Sequence, residues 1–220
     1  MTEVLKGCPI VRVVDDDDRV RESEAFVLRL DGWQVEEYES AQDFLERDNP
    51  ERPGCLVLDI RMPGMSGLEL QHELIRRGRT IPILFLTGHG DIDTAVMTLK
   101  LGAADFVRKP MEPEALQAAV RRLVEWHTAL AGVIGRKAKL RGMFESLTAK
   151  EKEICRLVAQ GALNKQIAFE LGIAEKTVKT HRGSLTRKLG QRSAVEIADF
   201  LRELAAPIDT TFRITDRREA

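Results

Sequence analysis

The feature that most constrains the fold is the regular alternation of short apolar runs with amphipathic stretches in the first half of the chain. The apolar runs are rich in β-branched residues and bounded by polar residues, Gly or Pro, which is typical of strands buried on both faces. The amphipathic stretches between them indicate helices. We therefore predict an α/β domain with a doubly wound, five-stranded parallel sheet and helices on both faces. The strands are expected at 10–14, 34–38, 55–60, 81–87 and 104–109, and the helices near 19–30, 40–46, 66–77, 92–101 and 112–130.

The second half of the chain contains helix signals only. Thr148 followed by Glu151 forms a capping-box pattern, Asn164 marks another helix start, and Gly172 separates two helical stretches. The segment 131–145 before them is rich in glycine and basic residues, which predicts a linker. We expect a small all-α domain after the sheet domain. The predicted organisation is a sheet domain at 8–127, a linker at 128–145, a helical domain at 146–203 and a flexible tail at 204–220.

Charge is divided unequally between the two halves, although the whole chain has a formal net charge of −1. Residues 1–127 carry 16 basic and 24 acidic side chains, whereas residues 128–220 carry 18 basic and 11 acidic ones. A small basic domain fits a polyanion such as nucleic acid. The longest apolar runs fall far short of the roughly 20 residues that span a bilayer, and the N-terminal stretch is acidic where a signal peptide would be apolar. We expect a soluble, cytoplasmic protein without a membrane partner.

Polar side chains end four of the five predicted strands. Asp15 and Asp16 follow the first apolar run, Asp59 closes another, and Thr87 and Lys109 close the last two. Because the carboxyl ends of parallel strands meet at one edge of a sheet, we expect these residues to share a pocket. Carboxylates so close together repel one another unless a divalent cation compensates them, and hard oxygen ligands suit Mg²⁺. The sequence therefore predicts a Mg²⁺ site at this edge.

Such a pocket has a defined chemistry. A carboxylate placed beside a metal ion, a lysine and a hydroxyl can act as a nucleophile towards phosphorus. The metal ion and the lysine neutralise charge on the phosphoryl oxygens, while the hydroxyl donates a hydrogen bond to one of them. The predicted product is an aspartyl phosphate.

Five motifs of this half resemble, in order and spacing, the receiver domain of two-component response regulators. The resemblance covers essentially residues 8–127. Agreement of five separated elements is much more specific than a match to one short pattern. The motifs are VVDDDD (13–18), LDIRMPGMSG (58–67), TGHGD (87–91), AVMTLKLGAADF (95–106) and RKP (108–110).

The resemblance implies a flavodoxin-like fold and a role for each matching residue. Asp59 is the expected phosphoacceptor, and Pro110 is expected to follow a cis peptide bond. Three residues are expected to stabilise the phosphoryl group or to switch with it: Thr87, Lys109 and Phe106. Mg²⁺ is expected to bind the side chains of Asp15, Asp16 and Asp59 and the backbone carbonyl of Arg61.

The stretch 164–190 predicts two helices, of which the second carries a basic face. On a helical wheel Val178, Leu185 and Leu189 fall together and predict the buried side of that helix. The opposite side carries basic and small polar residues, as a helix in the major groove of DNA requires. A solvated charged face without a partner is the alternative, but the glycine turn and the basic charge of this half favour DNA binding.

The sequence from Leu147 to Gly190 resembles the LuxR-type helix-turn-helix, and its combination with the receiver resembles the NarL/FixJ family. Gly183 departs from the long side chain often found at its position, so we hypothesise either a close approach to DNA or a lost base contact. The resemblance implies base contacts by Lys179, Thr180 and Gly183, and contacts with the DNA backbone by Lys165, Thr177, His181 and Lys188.

These expectations combine into a phosphorylation-controlled transcription factor rather than an enzyme. A sensor histidine kinase would phosphorylate Asp59, and the receiver would then form a homodimer through the face near 91–102, 105–108 and 112–125. The dimer would place two recognition helices on promoter DNA, with RNA polymerase as a further partner. Two rival classes fit less well. An acyl-phosphate hydrolase would place a second acid where Arg61 stands, and a ligand-sensing LuxR regulator or a sigma-factor-like protein leaves Asp59 without a role.

Overall fold

The first half of the chain folds into one parallel sheet. The strands are β1 (Ile10–Val14), β2 (Gln34–Tyr38), β3 (Gly54–Asp59), β4 (Ile83–Thr87) and β5 (Asp105–Arg108). Their order in the sheet is β2-β1-β3-β4-β5, and every neighbouring pair is parallel. The predicted doubly wound sheet is therefore confirmed. The structure, a computed structural model, describes residues 7–87, 104–110, 112–210 and 212.

Helices cover both faces of the sheet because the side chains of each strand alternate between two cores. Helices α1 (Asp18–Leu30), α2 (Ala41–Arg47), α3 (Gly67–Arg76) and α4 (Pro113–Glu145) follow β1, β2, β3 and β5. Leu58 of β3 packs on one face with Phe44 of α2 and Leu70 of α3. Its neighbour Val57 packs on the other face with Leu28 of α1. The helix predicted at 92–101 lies outside the described residues.

One residue of β1 departs from the apolar pattern of a buried strand. Arg12 is fully buried, and its guanidinium forms an ion pair with Asp48 at 2.5 Å. It also donates hydrogen bonds to the carbonyl oxygens of Asn49 and Arg52 at 2.8 and 3.1 Å, and Arg79 contacts the same Asp48. A buried charge is tolerated only when it is paired and hydrogen-bonded. This network therefore ties β1 to the segment that precedes β3.

The second half of the chain forms a helical domain with its own core. Its helices are α5 (Ala149–Ala159), α6 (Asn164–Leu171), α7 (Glu175–Leu189) and α8 (Ala194–Ala205). Helix α6 ends at Gly172, whose φ of 63° lies in the left-handed region that favours glycine. Val178, Leu185 and Leu189 of α7 are fully buried, as the helical wheel predicted. Within the described ranges, no helix has the length and apolar character that crossing a membrane requires.

Helix α4 is longer than predicted and runs through the segment 128–145 that we expected to be a linker. The chain divides into two compact units between Gly132 and Val133, inside that segment. The connection between the units therefore has helical backbone. The helix is hard to predict there because glycine lowers helix propensity by about 1 kcal/mol relative to alanine.

A short stretch after the last helix lies against the sheet domain. Of its described residues, Asp209, Thr210 and Phe212 belong to the first unit. The ring of Phe212 meets Trp126 edge to face, with 5.4 Å between centroids, and packs partly buried against the core under α1 and α4. The segment 204–220 that we expected to be a flexible tail thus begins inside α8, and its Phe212 packs against the core of the sheet domain.

Candidate functional site

The centre of the candidate site is the ammonium group of Lys109, which directly follows β5. It donates hydrogen bonds to Oδ2 of Asp15, after β1, and to Oδ1 of Asp59, the last residue of β3; the second bond is 3.0 Å long. Asp15 is only 3% exposed. The structure therefore brings together three of the residues that the strand-end argument placed in one pocket.

Backbone groups hold both carboxylates in place. The N–H of Asp17 donates to Oδ1 of Asp15 at 2.9 Å, and the N–H of Arg61 donates to Oδ2 of Asp59 at 2.6 Å. The first turn of α3 approaches Asp59 so closely that a Cβ added to Gly67 would lie 2.2 Å from the Asp59 carbonyl oxygen. Only glycine permits that approach, so Gly67 is part of what positions the site.

Burial and charge shift the pKa values of the site in opposite directions. Burial raises the pKa of the Asp59 carboxyl, although the hydrogen bond and charge of Lys109 oppose the rise. For Lys109, burial alone lowers the pKa, but the hydrogen bonds and charges of Asp15, Glu24 and Asp59 outweigh it and raise the pKa. Lys109 is therefore a firmly protonated cation, whereas the anionic form of Asp59 would gain from further positive charge.

Sequence reasoning missed one member of this cluster. Glu24 of α1 places Oε1 3.6 Å from the Lys109 ammonium, and its side chain is 13% exposed. Burial raises the pKa of Glu24 to about 7 against the opposing charge of Lys109. Glu24 lies one helical turn from Val20 and from Val27, on the side of α1 that lines a cavity. A charged residue within a helical stripe of apolar residues is the signal that could have found it.

The other predicted residues of the pocket have different surroundings. Phe106 of β5 is partly buried against the core under α2 and α3. The peptide bond before Pro110 is cis, as the resemblance implies. Asp16 is exposed. Thr87 is the last residue of β4, beside the end of β5, but its side chain lies outside the described residues.

The predicted metal ligands do not form a ready metal site. In the part of the chain that the structure describes, no group of three or more His, Cys, Asp or Glu side chains is arranged to hold a metal ion. Instead the ammonium of Lys109 bridges Asp15 and Asp59. These two carboxylates thus converge on a shared cation, and their oxygens are the hard donors that Mg²⁺ prefers. The donor set fits Mg²⁺, with Lys109 serving as the stand-in cation.

Most of the predicted DNA contacts lie on the surface of the helical domain. Lys179 forms an exposed pair with Glu175 at 3.4 Å, and such pairs are weak in water. Thr180 donates a hydrogen bond to the carbonyl oxygen of Lys176 at 3.1 Å. His181 is half-buried. The exposed positions are Lys165, Thr177, Lys179, Thr180, Gly183 and Lys188.

Lys188 differs from the other predicted DNA contacts because it holds two helices together. Its ammonium donates to Oε2 of Glu151 in α5 at 2.7 Å and to the carbonyl oxygen of Ser146 at 3.2 Å. Glu151 is 3% exposed. Hydrogen bonds from Lys188 and then Ser184 lower the pKa of Glu151 to about 2. Sequence reasoning saw only the capping role of Glu151 towards Thr148, which the structure confirms.

Gly183 lies in the interior of α7 without a structural need for glycine. No heavy atom would lie within 4 Å of a Cβ added there. The residue is exposed, so the packing of the domain leaves room for a larger side chain. Any requirement for glycine at 183 must therefore come from outside the chain.

The fold and the site together define a class of protein. Its first domain carries carboxylates at the ends of parallel strands, and its second domain contains a helix-turn-helix. A family model for the response regulator receiver domain matches residues 11–121. A second model, for bacterial regulatory proteins of the luxR family, matches residues 145–201. The two matches correspond to the sheet domain and the helical domain.

Individual relatives extend over both domains. The chain is 42% identical over 180 residues to the response regulator protein TodT of Pseudomonas putida, which covers 82% of this chain and 79% of TodT. It is 40% identical over 187 residues to the transcriptional regulatory protein FixJ of Azorhizobium caulinodans, covering 85% and 89%. The solved structure of the response regulator StyR superimposes with a TM-score of 0.86 at 44% identity, over 90% of this chain and all of that one. The chain therefore belongs to the response regulators with a receiver domain and a LuxR-type DNA-binding domain, a family of transcriptional regulators rather than typical enzymes.

Proposed function

We propose that this chain is a cytoplasmic regulator whose binding to promoter DNA is controlled by transfer of a phosphoryl group from a sensor histidine kinase to Asp59. The observation that carries the proposal is the meeting of Lys109 with Asp15 and Asp59 at the carboxyl ends of three strands. A nucleophilic carboxylate and a fixed cation are the two groups that phosphoryl transfer needs from the protein.

The proposed step is a substitution at phosphorus. A carboxylate oxygen of Asp59 forms a bond to the phosphorus of a phosphohistidine, the P–N bond breaks, and the imidazole leaves with the electron pair. Lys109 lies 3.0 Å from Asp59, so its flexible side chain can bring the ammonium to an oxygen of the arriving phosphoryl group and neutralise it. The N–H of Arg61 keeps the other oxygen of Asp59 in place during the attack.

We propose Asp15, Asp16, Asp59 and the carbonyl of Arg61 as the residues that hold Mg²⁺. When bound, the ion supplies positive charge to the phosphoryl oxygens. The convergence of two partly or fully buried carboxylates on one ammonium supports this assignment, because the same oxygens can neutralise a metal ion. Thr87 and Phe106 complete the proposed pocket as the hydroxyl donor and the aromatic switch residue.

For the helical domain we propose DNA binding through the exposed face of α7. Lys179, Thr180 and Gly183 are the proposed base-contacting positions, and exposure of all three supports this role. Phosphorylation would promote a homodimer that presents two such faces to half-sites about one helical turn apart, with RNA polymerase as a further partner. The proposed backbone contacts are Lys165, Thr177, His181 and Lys188.

The test is phosphorylation of the full chain by a phosphohistidine-bearing histidine kinase or by acetyl phosphate in the presence of Mg²⁺. Asp59→Asn should abolish incorporation of phosphate and the phosphorylation-dependent gain in binding to promoter DNA. Asp18→Asn removes an exposed carboxylate of the same acidic stretch, 78% exposed, and should leave incorporation unchanged. Stable phosphate on the Asp59→Asn chain would overturn the proposal.

A further inference from the structure

The observation that leads beyond this function is that Lys109 contacts one oxygen of each of two carboxylates that we propose as metal ligands. Asp15 accepts the Asp17 N–H on Oδ1 and the Lys109 ammonium on Oδ2. Asp59 accepts the Arg61 N–H on Oδ2 and the same ammonium on Oδ1. A metal ion that binds these oxygens would be repelled by the nearby ammonium, so binding of the ion favours movement of Lys109 away from Asp15 and Asp59.

A shift of Lys109 is costly unless another acceptor receives the ammonium. The Lys109 side chain is only 18% exposed, and moving a charge away from its partners in a buried setting is unfavourable without a new partner. Glu24 is such a partner: it faces the ammonium from α1, 3.6 Å away, and is itself 13% exposed. Asp15, Asp59 and Glu24 thus surround one lysine from three different segments of the chain.

The structure also provides space for the movement. A cavity of about 550 Å³ opens beside Lys109 and Glu24. Its walls are mainly apolar, with Val20 and Val27 on α1 and Leu116 on α4. Among the residues that line this cavity, Ser23 offers a neutral hydroxyl and Glu24 is the one carboxylate, so Glu24 is the anionic acceptor for the ammonium.

We infer that Glu24 is a positioning residue that accepts the ammonium of Lys109 when Mg²⁺ takes the oxygens of Asp15 and Asp59. Lys109 pairs with Asp15 and Asp59 in the absence of the ion and with Glu24 in its presence. Glu24 thereby lowers the free-energy cost of moving the ammonium away from Asp15 and Asp59. The inference rests on the proposed function, since it assumes that Asp15 and Asp59 bind Mg²⁺. It predicts that the affinity for Mg²⁺ depends on a carboxylate that does not bind the ion.

The test is isothermal titration calorimetry, in which MgCl₂ is added to the full, unphosphorylated chain. At about pH 8 Glu24 is ionised, because its pKa is about 7. Glu24→Gln keeps the shape of the side chain and removes its charge, and it should weaken Mg²⁺ binding by about three- to tenfold, as expected for directly coupled residues. Glu22→Gln, an exposed change on the same helix, should leave the affinity unchanged.

A double-mutant cycle separates positioning from a general effect of charge. In a Lys109→Met background there is no ammonium to relocate, so Glu24→Gln should have no further effect on Mg²⁺ affinity. An equal loss in both backgrounds would overturn the inference, because Glu24 would then act on the ion directly. Glu24→Asp, which keeps the charge on a shorter side chain, should give an intermediate affinity and tests the same point if Glu24→Gln does not fold.

The outcomes distinguish the inference from the function on which it rests. Equal affinities of the wild-type and Glu24→Gln chains, with Asp15→Asn abolishing binding, would overturn only the role of Glu24. Absence of Mg²⁺ binding in the wild-type chain, or binding that Asp15→Asn leaves intact, would overturn the proposed metal site and the inference together.

Discussion

Lysine side chains of the two domains have opposite surroundings. Lys109 of the receiver domain is 18% exposed and lies among three carboxylates from three segments. Lys179 of the helical domain is 64% exposed and has one weak partner on its own helix. A buried cation is held at a fixed position and distance relative to its partners, and the stabilisation of charge in phosphoryl transfer needs such a fixed position. An exposed cation keeps its hydration and can exchange it for phosphates along DNA.

Lys188 lies between these two extremes. It is on the surface of the helical domain, yet it forms an ion pair with the buried Glu151. Its position among the basic residues of α7 therefore does not establish whether Lys188 acts as a buried, paired lysine or as an exposed, hydrated one. For each residue, a substitution can show whether its role depends on a fixed position in the interior or on contact with DNA from the exposed surface.

The largest effect is expected from Gly67→Ala, which tests the positional precision of the receiver site. The added Cβ would lie 2.2 Å from the carbonyl oxygen of Asp59, so strand and helix must separate. We expect a loss of about 2 to 3 kcal/mol in the free energy of unfolding and a strong reduction in phosphorylation of Asp59. Both tryptophans lie in the receiver unit, so urea unfolding followed by their fluorescence measures this domain.

Gly142→Ala is the matched control for that change. A Cβ at Gly142 in α4 would meet no atom within 4 Å. It should leave phosphorylation of Asp59 unchanged. Full phosphorylation of the Gly67→Ala chain at normal stability would show that the receiver site tolerates displacement of its strand ends.

Lys188→Met should destabilise the helical domain by about 1 to 3 kcal/mol, because it leaves the buried carboxylate of Glu151 without its cation. Far-UV circular dichroism follows helices of both domains, so a transition that shifts there but not in tryptophan fluorescence belongs to the helical domain. Lys179→Met should leave both transitions in place and instead weaken binding to promoter DNA by about 1 to 3 kcal/mol, with a relaxed preference for the base pair that Lys179 contacts. If Lys188→Met behaved in the same way as Lys179→Met, the distinction between the two lysines would fail.

The pH dependence of stability should show the same ion pair. The pKa of Glu151 is lowered from 4.5 to about 2 in the folded chain, mainly by the hydrogen bond from Lys188. Its contribution is therefore fully present above about pH 4.5 and is lost as the pH falls through about 2. Circular dichroism melting curves of the wild type should shift to lower temperature across this interval. The shift should be smaller for Glu151→Gln, and an equal shift in that variant would argue against the ion pair.

The smallest effect on stability is expected from Gly183→Ala. Alanine at this exposed helical position should raise the free energy of unfolding of the helical domain by up to about 1 kcal/mol, because glycine is the poorer helix former. Binding to promoter DNA decides between the two roles that we hypothesised. Close approach of the backbone to DNA predicts weaker binding by Gly183→Ala, whereas a lost base contact predicts unchanged binding.

Much of the fold was predictable from local patterns. The apolar runs predicted four of the five strands to within two residues at each end, because a strand buried on both faces must be apolar along its length. The strand at 34–38 has a weaker pattern, since alternate side chains at the start of β2 are exposed to solvent. The same argument predicted the convergence of Asp15, Asp59 and Lys109, since strand ends share an edge. The helical wheel predicted the buried side of α7 for a similar reason.

Other features depend on which segments pack together. The strand pattern did not indicate that Arg12 would be buried against Asp48. The helix pattern likewise did not indicate that Lys188 of α7 would pair with Glu151 of α5. Glu24 was missed because its partner lies 85 positions away in the sequence. The glycines near the middle and end of α4 led us to predict a linker where the structure has a continuous helix.

The sequence by itself determined the class of fold, the strand ends that meet at the pocket and the amphipathic faces of the helices, because these follow from periodicity and from backbone preferences within a few residues. Only the tertiary structure decided which charges are buried and which partner each one has. The strength of a charge interaction depends on distance and on the surrounding dielectric, and both quantities exist only after remote segments have packed together. Lys109, Lys179 and Lys188 carry the same functional group, and the fold alone assigns them different environments.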